Sequence, residues 1–248
     1  MKDKFKKFIK KIIPDSILLL RIKLINKKWG VKNKNLKDLF SSVYLNSLWN
    51  TENQSNDTFY SGIGSRDKDI ITQYQNKIKD FFKTLKYELK VLDLGCGDFY
   101  VHSDLVDLTN DYIAVDIVPD LIEYNKKKYS NLKVSFLNLD ITKDNLPDAN
   151  LVLIREVLQH LSNKNINKIL ENIKKNNYNH IILTEVLPLD NNFIANKEFL
   201  DGPHTRMSFL ESGIDITKNP FNFNYKNKIK LLEIKIKNYR LVTTAFEI

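Results

Sequence analysis

The chain has 248 residues, 42% of them apolar, and a single cysteine, Cys96. That length suits one α/β domain with its own core, the apolar content excludes wholesale disorder, and one thiol excludes an internal disulfide or a cysteine-held structural zinc. The formal net charge of +9 is confined to one end: residues 1–28 hold ten Lys or Arg against Asp3 and Asp15, whereas the remainder holds 29 basic and 28 acidic side chains. A nearly neutral body argues against nucleic acid as a partner, because phosphate binding needs basic side chains spread over the binding face.

The basic end interleaves lysines with Phe5, Phe8, Ile9, Ile12 and Ile13 at helical spacing, breaks at Pro14, and resumes with apolar residues at 17–25. The apolar run is too short to span a bilayer and no small-residue cleavage site follows it. Two readings are open: a helix lying on an anionic membrane face, or a charged helix whose apolar side packs on its own domain.

A helical stripe (Leu36, Leu39, Phe40, Val43, Tyr44, Leu48) follows and runs into polar residues at 49–56 with loop composition. Next comes "YSGIGS", then apolar residues from Ile70 to Leu85 at three- and four-residue intervals, which predict a long amphipathic helix. From "KVLDLG" onward, apolar runs alternate with helical segments. The runs are "DYIAVDI", "LKVSFLNLDI", "ANLVLIREV" and "HIILTEV"; helices are expected at 101–108, at 119–130 behind Pro119, and at 163–176. Strand and helix alternating in this way predict a parallel sheet covered on both faces. "KLLEIKIKN" and "YRLVTTAFEI" follow one another through a tight turn and read as a terminal hairpin.

The chemistry concentrates where the first strand ends. Gly95 and Gly97 let backbone approach a ligand where a Cβ would clash, and Asp116 ends the second strand 21 residues after Gly95, a distance suited to ribose hydroxyls. The third glycine of a dinucleotide fingerprint is missing, its place taken by Asp98, Phe99 and Tyr100. Acids there suit a ligand carrying a sulfonium and an ammonium better than a pyrophosphate.

In order and spacing, "VLDLGCGD", the acid of "AVDI", "LNLDI" and "LIREVLQHLS" resemble class I S-adenosylmethionine-dependent methyltransferases over residues 90–187. The resemblance implies a Rossmann-like α/β fold: a seven-stranded, mostly parallel sheet with a terminal antiparallel hairpin, here preceded by N-terminal helices. It divides the chain into an extension at 1–58 and a methyltransferase domain at 59–248, with an acceptor-side insertion at about 188–228. It implies S-adenosyl-L-methionine as cofactor, with Asp93, Gly95 and Gly97 around the methionine part, Asp116 on the ribose, Asp140 and Ile141 beside the adenine, and Ile117 also in the cofactor set. Arg155, Ser61 and Gly62 complete the expected cofactor set. Tight-turn geometry for the glycines, a helix cap for Asp140 and simple packing for Cys96 are the alternatives.

Methyl transfer from a sulfonium needs alignment first and a base second. His160 is the candidate base and Glu156 its neighbour, with Gln159, His204 and Arg206 as candidate acceptor contacts; a neutral packed ring is the alternative for His160 and a solvent-exposed turn for His204 and Arg206. "YSGIGS" and "FLDGPHTRMSFLESGIDITKNPFNF" are similar to a subgroup of these enzymes often encoded among genes for bacterial surface polysaccharides. The expectation is an O-methyltransferase acting on a small-molecule or glycan acceptor, in the cytoplasm, with peripheral contact at the inner membrane face through residues 1–28. A nucleic-acid or small-molecule methyltransferase and a non-catalytic cofactor-binding protein are the alternatives. Asp98, Asp201 and Asp215 show no metal-ligand spacing.

Overall fold

A computed structural model describes residues 13–31, 35–50 and 57–248. The first half of the basic end, with Phe5, Phe8, Ile9 and Ile12, lies outside the described residues. Seven strands form one sheet: β1 (Lys90–Leu94), β2 (Asp111–Asp116), β3 (Ser135–Asn138), β4 (Leu151–Arg155), β5 (His180–Pro188), β6 (Asn227–Ile236) and β7 (Tyr239–Glu247). Their order is β3-β2-β1-β4-β5-β7-β6. The first five are parallel, and β7 inserts antiparallel between β5 and β6, so the terminal hairpin completes the sheet.

Alternation along the central strands sends side chains to two cores. Leu92 and Leu94 of β1 join Ile166, Ile169 and Ile173 of α5 (Asn163–Ile173), while Val91 joins Tyr74, Ile78 and Phe82 of α3 (Lys68–Thr84) on the opposite face. α4 (Pro119–Lys128) starts with proline where the missing N–H costs nothing, and lies on the α3 side through Ile122. Asp67 caps α3 by accepting from the Asp69 and Ile70 N–H groups, and Ser162 caps α5 through Asn165 N–H. Two expected elements differ. The segment after the glycine turn is a 3-10 stretch, Ser103–Leu108, and the third strand covers only four residues.

The N-terminal helices pack on the body. α1 (Asp15–Lys28) buries Leu18 and Ile22 against Phe199 and Leu210 of the insertion, whose short helix α6 spans Arg206–Leu210. α2 (Leu36–Leu45), capped by Asn35, brings Phe40 and Tyr44 against Val118 and Leu121 near the start of α4.

Candidate functional site

The strand order reverses between β1 and β4, and there, beyond the carboxyl ends of the strands, lies a cavity of about 310 Å³. Its floor is the turn after β1. Gly95 and Gly97 have φ of 74° and 56°, and a Cβ on either would sit 2.6 Å from Val157 or from Ser61. The N–H groups of Gly95 and Cys96 both donate to Val115 O at 2.9 Å, which pins the turn to β2.

Asp116 lies opposite and is nearly fully buried. Its Oδ2 accepts from Gly97 N at 3.1 Å and its Oδ1 from Val118 N at 3.0 Å, leaving a further lone pair on each oxygen. Burial dominates those hydrogen bonds and pushes its pKa up to about 6. Ile117, Asp140, Ile141 and Thr142 continue the wall on this side. Oδ1 of Asp140 accepts from both N and Oγ1 of Thr142, which, with Lys143, holds its carboxyl below the usual range although burial opposes this.

A strap formed by residues 57–66 closes over the glycine turn. Ser61 N–H donates to Asp98 Oδ2 at 2.9 Å and Ser61 Oγ accepts from Asp98 N at 2.9 Å, while Tyr44 OH lies 3.0 Å from the same Oγ. Arg66 fixes the strap by pairing with Asp98 at 2.8 Å and stacking on Tyr100, 4.1 Å from its ring centroid. Ser61, Gly62, Gly64 and Ser65 all line the cavity.

At the far end stand Arg155, Glu156, Gln159 and His160, carried by the end of β4 and the 3-10 turn Leu158–His160. Glu156 adopts φ 57°, a conformation that a non-glycine residue holds only under constraint. Its carboxylate pairs with Arg155 Nη2 at 2.9 Å, and that same nitrogen donates to Gly64 O at 3.1 Å. Arg155 Nε is buried with no partner. His160 Nδ1 lies 3.1 Å from His204 O, and since a carbonyl only accepts, Nδ1 carries the proton and Nε2 is the ring's acceptor. Burial lowers the His160 pKa to about 4, so the ring is neutral.

Three expected site residues lie outside the cavity wall. Asp93 is buried behind the glycine turn, where it accepts from His102 Nδ1 at 2.7 Å and from Tyr112 OH at 3.3 Å, and His102 Nε2 in turn meets Tyr74 OH at 2.9 Å. His102, absent from the sequence reading, is the member of this chain that lines the cavity. The His204 ring lies between Trp29 and Phe209, and only its backbone reaches His160. Arg206 is fully buried, donating to Lys197 O, Leu158 O and Asn163 Oδ1 at 3.0, 3.2 and 2.8 Å; it supports the His160 turn from behind.

The aromatic wall also escaped the sequence reading. Phe40 and Tyr44 of α2 line the cavity with Trp49, Tyr100 and, from the insertion, Pro203 and Thr205. Trp49 Nε1 donates to Pro203 O at 3.1 Å and its ring lies 5.2 Å from that of His160. The helical stripe of α2 was legible, but not what it faces. Asp98, Asp201 and Asp215 are each engaged locally, with Arg66, Ser162 and Thr217, and no group of three metal-ligating side chains occurs among the described residues.

Residues 91–176 match the family described as a methyltransferase domain. A malonyl-acyl-carrier-protein O-methyltransferase of Acetivibrio thermocellus is 32% identical over 94 residues, which span 36% of this chain and 33% of that protein. The match thus covers about a third of the relative's length. Among solved structures, magnesium protoporphyrin IX methyltransferase from Synechocystis with bound S-adenosylmethionine superposes with TM-score 0.55 at 12% identity, covering 88% of this chain and all of that one. The N-methyltransferase NodS of Bradyrhizobium japonicum, bound to S-adenosylhomocysteine, gives 0.52 at 12%, over 73% and 89%. At these identities the likeness is one of fold, the class I methyltransferase fold with its terminal hairpin. S-adenosyl-L-methionine is the cofactor this fold implies, and the cavity fits it: two positive-φ glycines leave room along the floor, Asp116 has open lone pairs, and acids outnumber the lone cation Arg155 in the described wall.

Proposed function

We propose that the protein is an S-adenosylmethionine-dependent O-methyltransferase whose acceptor is a hydroxyl of a bacterial surface glycan or of its activated sugar precursor. One observation carries the reading: a cavity that begins at Gly95, Gly97 and Asp116 ends at a neutral His160 whose Nδ1–H is committed to His204 O. In this reading Asp116 accepts the ribose hydroxyls, Ile117, Asp140 and Ile141 flank the adenine, and Gly95, Gly97, Ser61, Gly62 and Arg155 surround the methionine end. The cofactor supplies an electrophilic methyl group on a sulfonium.

The chain's residues do the rest. Glu156 and Gln159 orient the acceptor hydroxyl, and its proton passes to Nε2 of His160 as the oxygen gains the methyl group. The wall suits a sugar, since Trp49 and Tyr100 offer faces for C–H surfaces while Glu156 and Gln159 offer hydrogen bonds. Glycan precursors of this kind are assembled at the inner membrane face, where the basic extension gives the enzyme peripheral contact.

A second reading has an acidic acceptor. It is favoured by Arg155 Nε, a buried donor without a partner, and by the relative that acts on malonyl-acyl-carrier protein. A nucleic-acid acceptor finds little support, because Arg155 is the only cationic side chain of the described wall and is paired with Glu156. Calorimetry of S-adenosylmethionine binding, followed by methyl-transfer assays on nucleotide sugars and on carboxylate acceptors, separates these readings. Absence of cofactor binding by the wild-type chain overturns all of them.

A further inference from the structure

α1 is apolar on two sides. At 100° per residue its buried face is drawn from Leu18, Ile22 and Asn26, directed at the insertion. On the opposite side Ile17, Leu20 and Leu24 form a second stripe and remain 56, 57 and 61% exposed. Arg21 and Lys28 flank this stripe on one edge and Lys23 and Lys27 on the other, all four in solvent. Apolar residues between two basic rails are the arrangement of a helix that lies in a membrane interface.

We propose that this outward face of α1 seats the protein on an anionic membrane, with Ile17, Leu20 and Leu24 among the acyl chains nearest the surface and the four basic residues at the lipid phosphates. The assignment rests on the peripheral placement in the reading above and names the surface that makes it. Charge selects the occupant: residues 1–28 carry ten basic and two acidic side chains, which attract anionic lipid and repel a second copy of the same face. Three side chains are also too small a patch for a stable dimer, which buries roughly 800 Å² per partner. No described helix is long and apolar enough to cross the bilayer.

The placement reaches the active cavity through packing. The Trp29 ring, just beyond α1, lies 5.1 Å from the His204 ring, and His204 O holds His160. Gly202 N–H donates to His160 O at 2.9 Å, and a Cβ on Gly202 would lie 3.3 Å from Asn26 Nδ2 of α1. The membrane-facing helix, the insertion and the His160 turn therefore form one packed block, with Pro203 and Thr205 in the cavity wall.

The test is co-sedimentation of the full chain with vesicles of phosphatidylcholine alone or mixed with phosphatidylglycerol, at low and high salt. Wild type is expected to sediment with the anionic vesicles at low salt and to be released by high salt. The Leu20→Glu/Leu24→Glu variant, altered only on the exposed face, should bind about tenfold or more weakly with its S-adenosylmethionine affinity unchanged. Wild type that ignores anionic vesicles, or a double variant that binds them equally well, overturns the proposal. So does a wild-type dimer in sedimentation velocity that the double variant converts to monomer, since the stripe would then join two copies. Loss of cofactor binding in wild type strikes only the methyltransferase reading and leaves the vesicle result standing.

Discussion

The Nδ1–H of His160 donates to the backbone carbonyl of His204, 3.1 Å away and 44 residues on in the chain. The bond fixes the tautomer and the plane of a ring already held between Trp49 and the insertion. A histidine with one nitrogen committed to a carbonyl is a positioned acceptor, and the insertion is what positions it.

Replacing His160 by Ala is expected to leave S-adenosylmethionine affinity within a few-fold of wild type and to lower kcat by about 10²–10⁴, the range for loss of a general base. Because burial lowers the His160 pKa to about 4, kcat of the wild type should be flat through neutral pH and fall only as pH approaches about 4. Single-turnover rates across pH check both points. An acid limb that persists unchanged in His160→Ala, or a kcat that this substitution leaves within a few-fold of wild type, would show that His160 is not the base.

Asp116 ties cofactor affinity to pH in the same direction. Its carboxyl titrates at about 6 in the free protein, since burial outweighs the N–H groups of Val118 and Gly97. In the proposed binding mode ribose hydroxyls donate to the ionised form and pull that value down, so binding below about pH 6 releases a proton and affinity drops as pH falls, up to tenfold per unit. Calorimetry at about pH 5.5 in buffers of different ionisation enthalpy reads the released proton directly. Asp116→Ala should remove the pH dependence and weaken binding by about 10–100-fold, the worth of a hydrogen bond to a charged group.

Gly97→Ala probes the strap. The added Cβ would lie 2.6 Å from Ser61 Oγ at a φ of 56°, so either the turn or the Ser61–Asp98 pair must yield. A loss of about 1–3 kcal/mol in stability is expected from the strained backbone, with weakened cofactor binding as the strap shifts. Thermal melts with and without the cofactor measure the two effects separately. Gly62→Ala is the control, because nothing lies within 4 Å of its Cβ position although its φ of 98° carries strain of the same kind.

What could be read from the sequence follows from how local each signal is. The strands, the glycine turn and Asp116 are written in short apolar runs with punctuation at fixed offsets, and the sheet follows from their order. The aromatic wall is not written that way. Phe40 and Tyr44 show helical spacing, but the partner of that face is set by packing against the Val118 and Leu121 region some 80 residues later in the chain. Asp93 stands where the resemblance places a cofactor contact, and only the fold shows that His102 takes up its carboxylate. The His-after-turn spacing in "DLGCGDFYVH" was the available signal for that pairing. Arg206 misleads for a different reason: a charged side chain in a polar insertion is expected in solvent, and this one is fully buried.

Arg206 and Glu185 form the buried support of the His160 turn, and their titration gives the last prediction. Burial, and next the charge of Glu156, push the Glu185 carboxyl well above the usual range, against the pull of Arg206 and of the Leu158 and Gln159 N–H groups; neither of its oxygens completes a hydrogen bond. The folded state therefore keeps a proton that the unfolded chain releases above its ordinary value of 4.5. With more protons bound in the folded state, stability falls as pH rises through the folded pKa, by up to about 1.4 kcal/mol per unit. Urea midpoints at about pH 5 and about pH 8 in wild type and in Glu185→Gln read this loss as the difference between the two, since His160, Asp116 and Cys96 titrate alike in both. Glu185→Gln keeps the shape without the proton and should flatten that dependence. Arg206→Leu should be strongly destabilising at either pH, by about 1–3 kcal/mol for each acceptor it strands at Lys197, Leu158 and Asn163. A Glu185→Gln variant that keeps the wild-type slope would place the proton elsewhere, and one that is as damaged as Arg206→Leu at both pH values would mean that Glu185 is ionised and salt-bridged to Arg206.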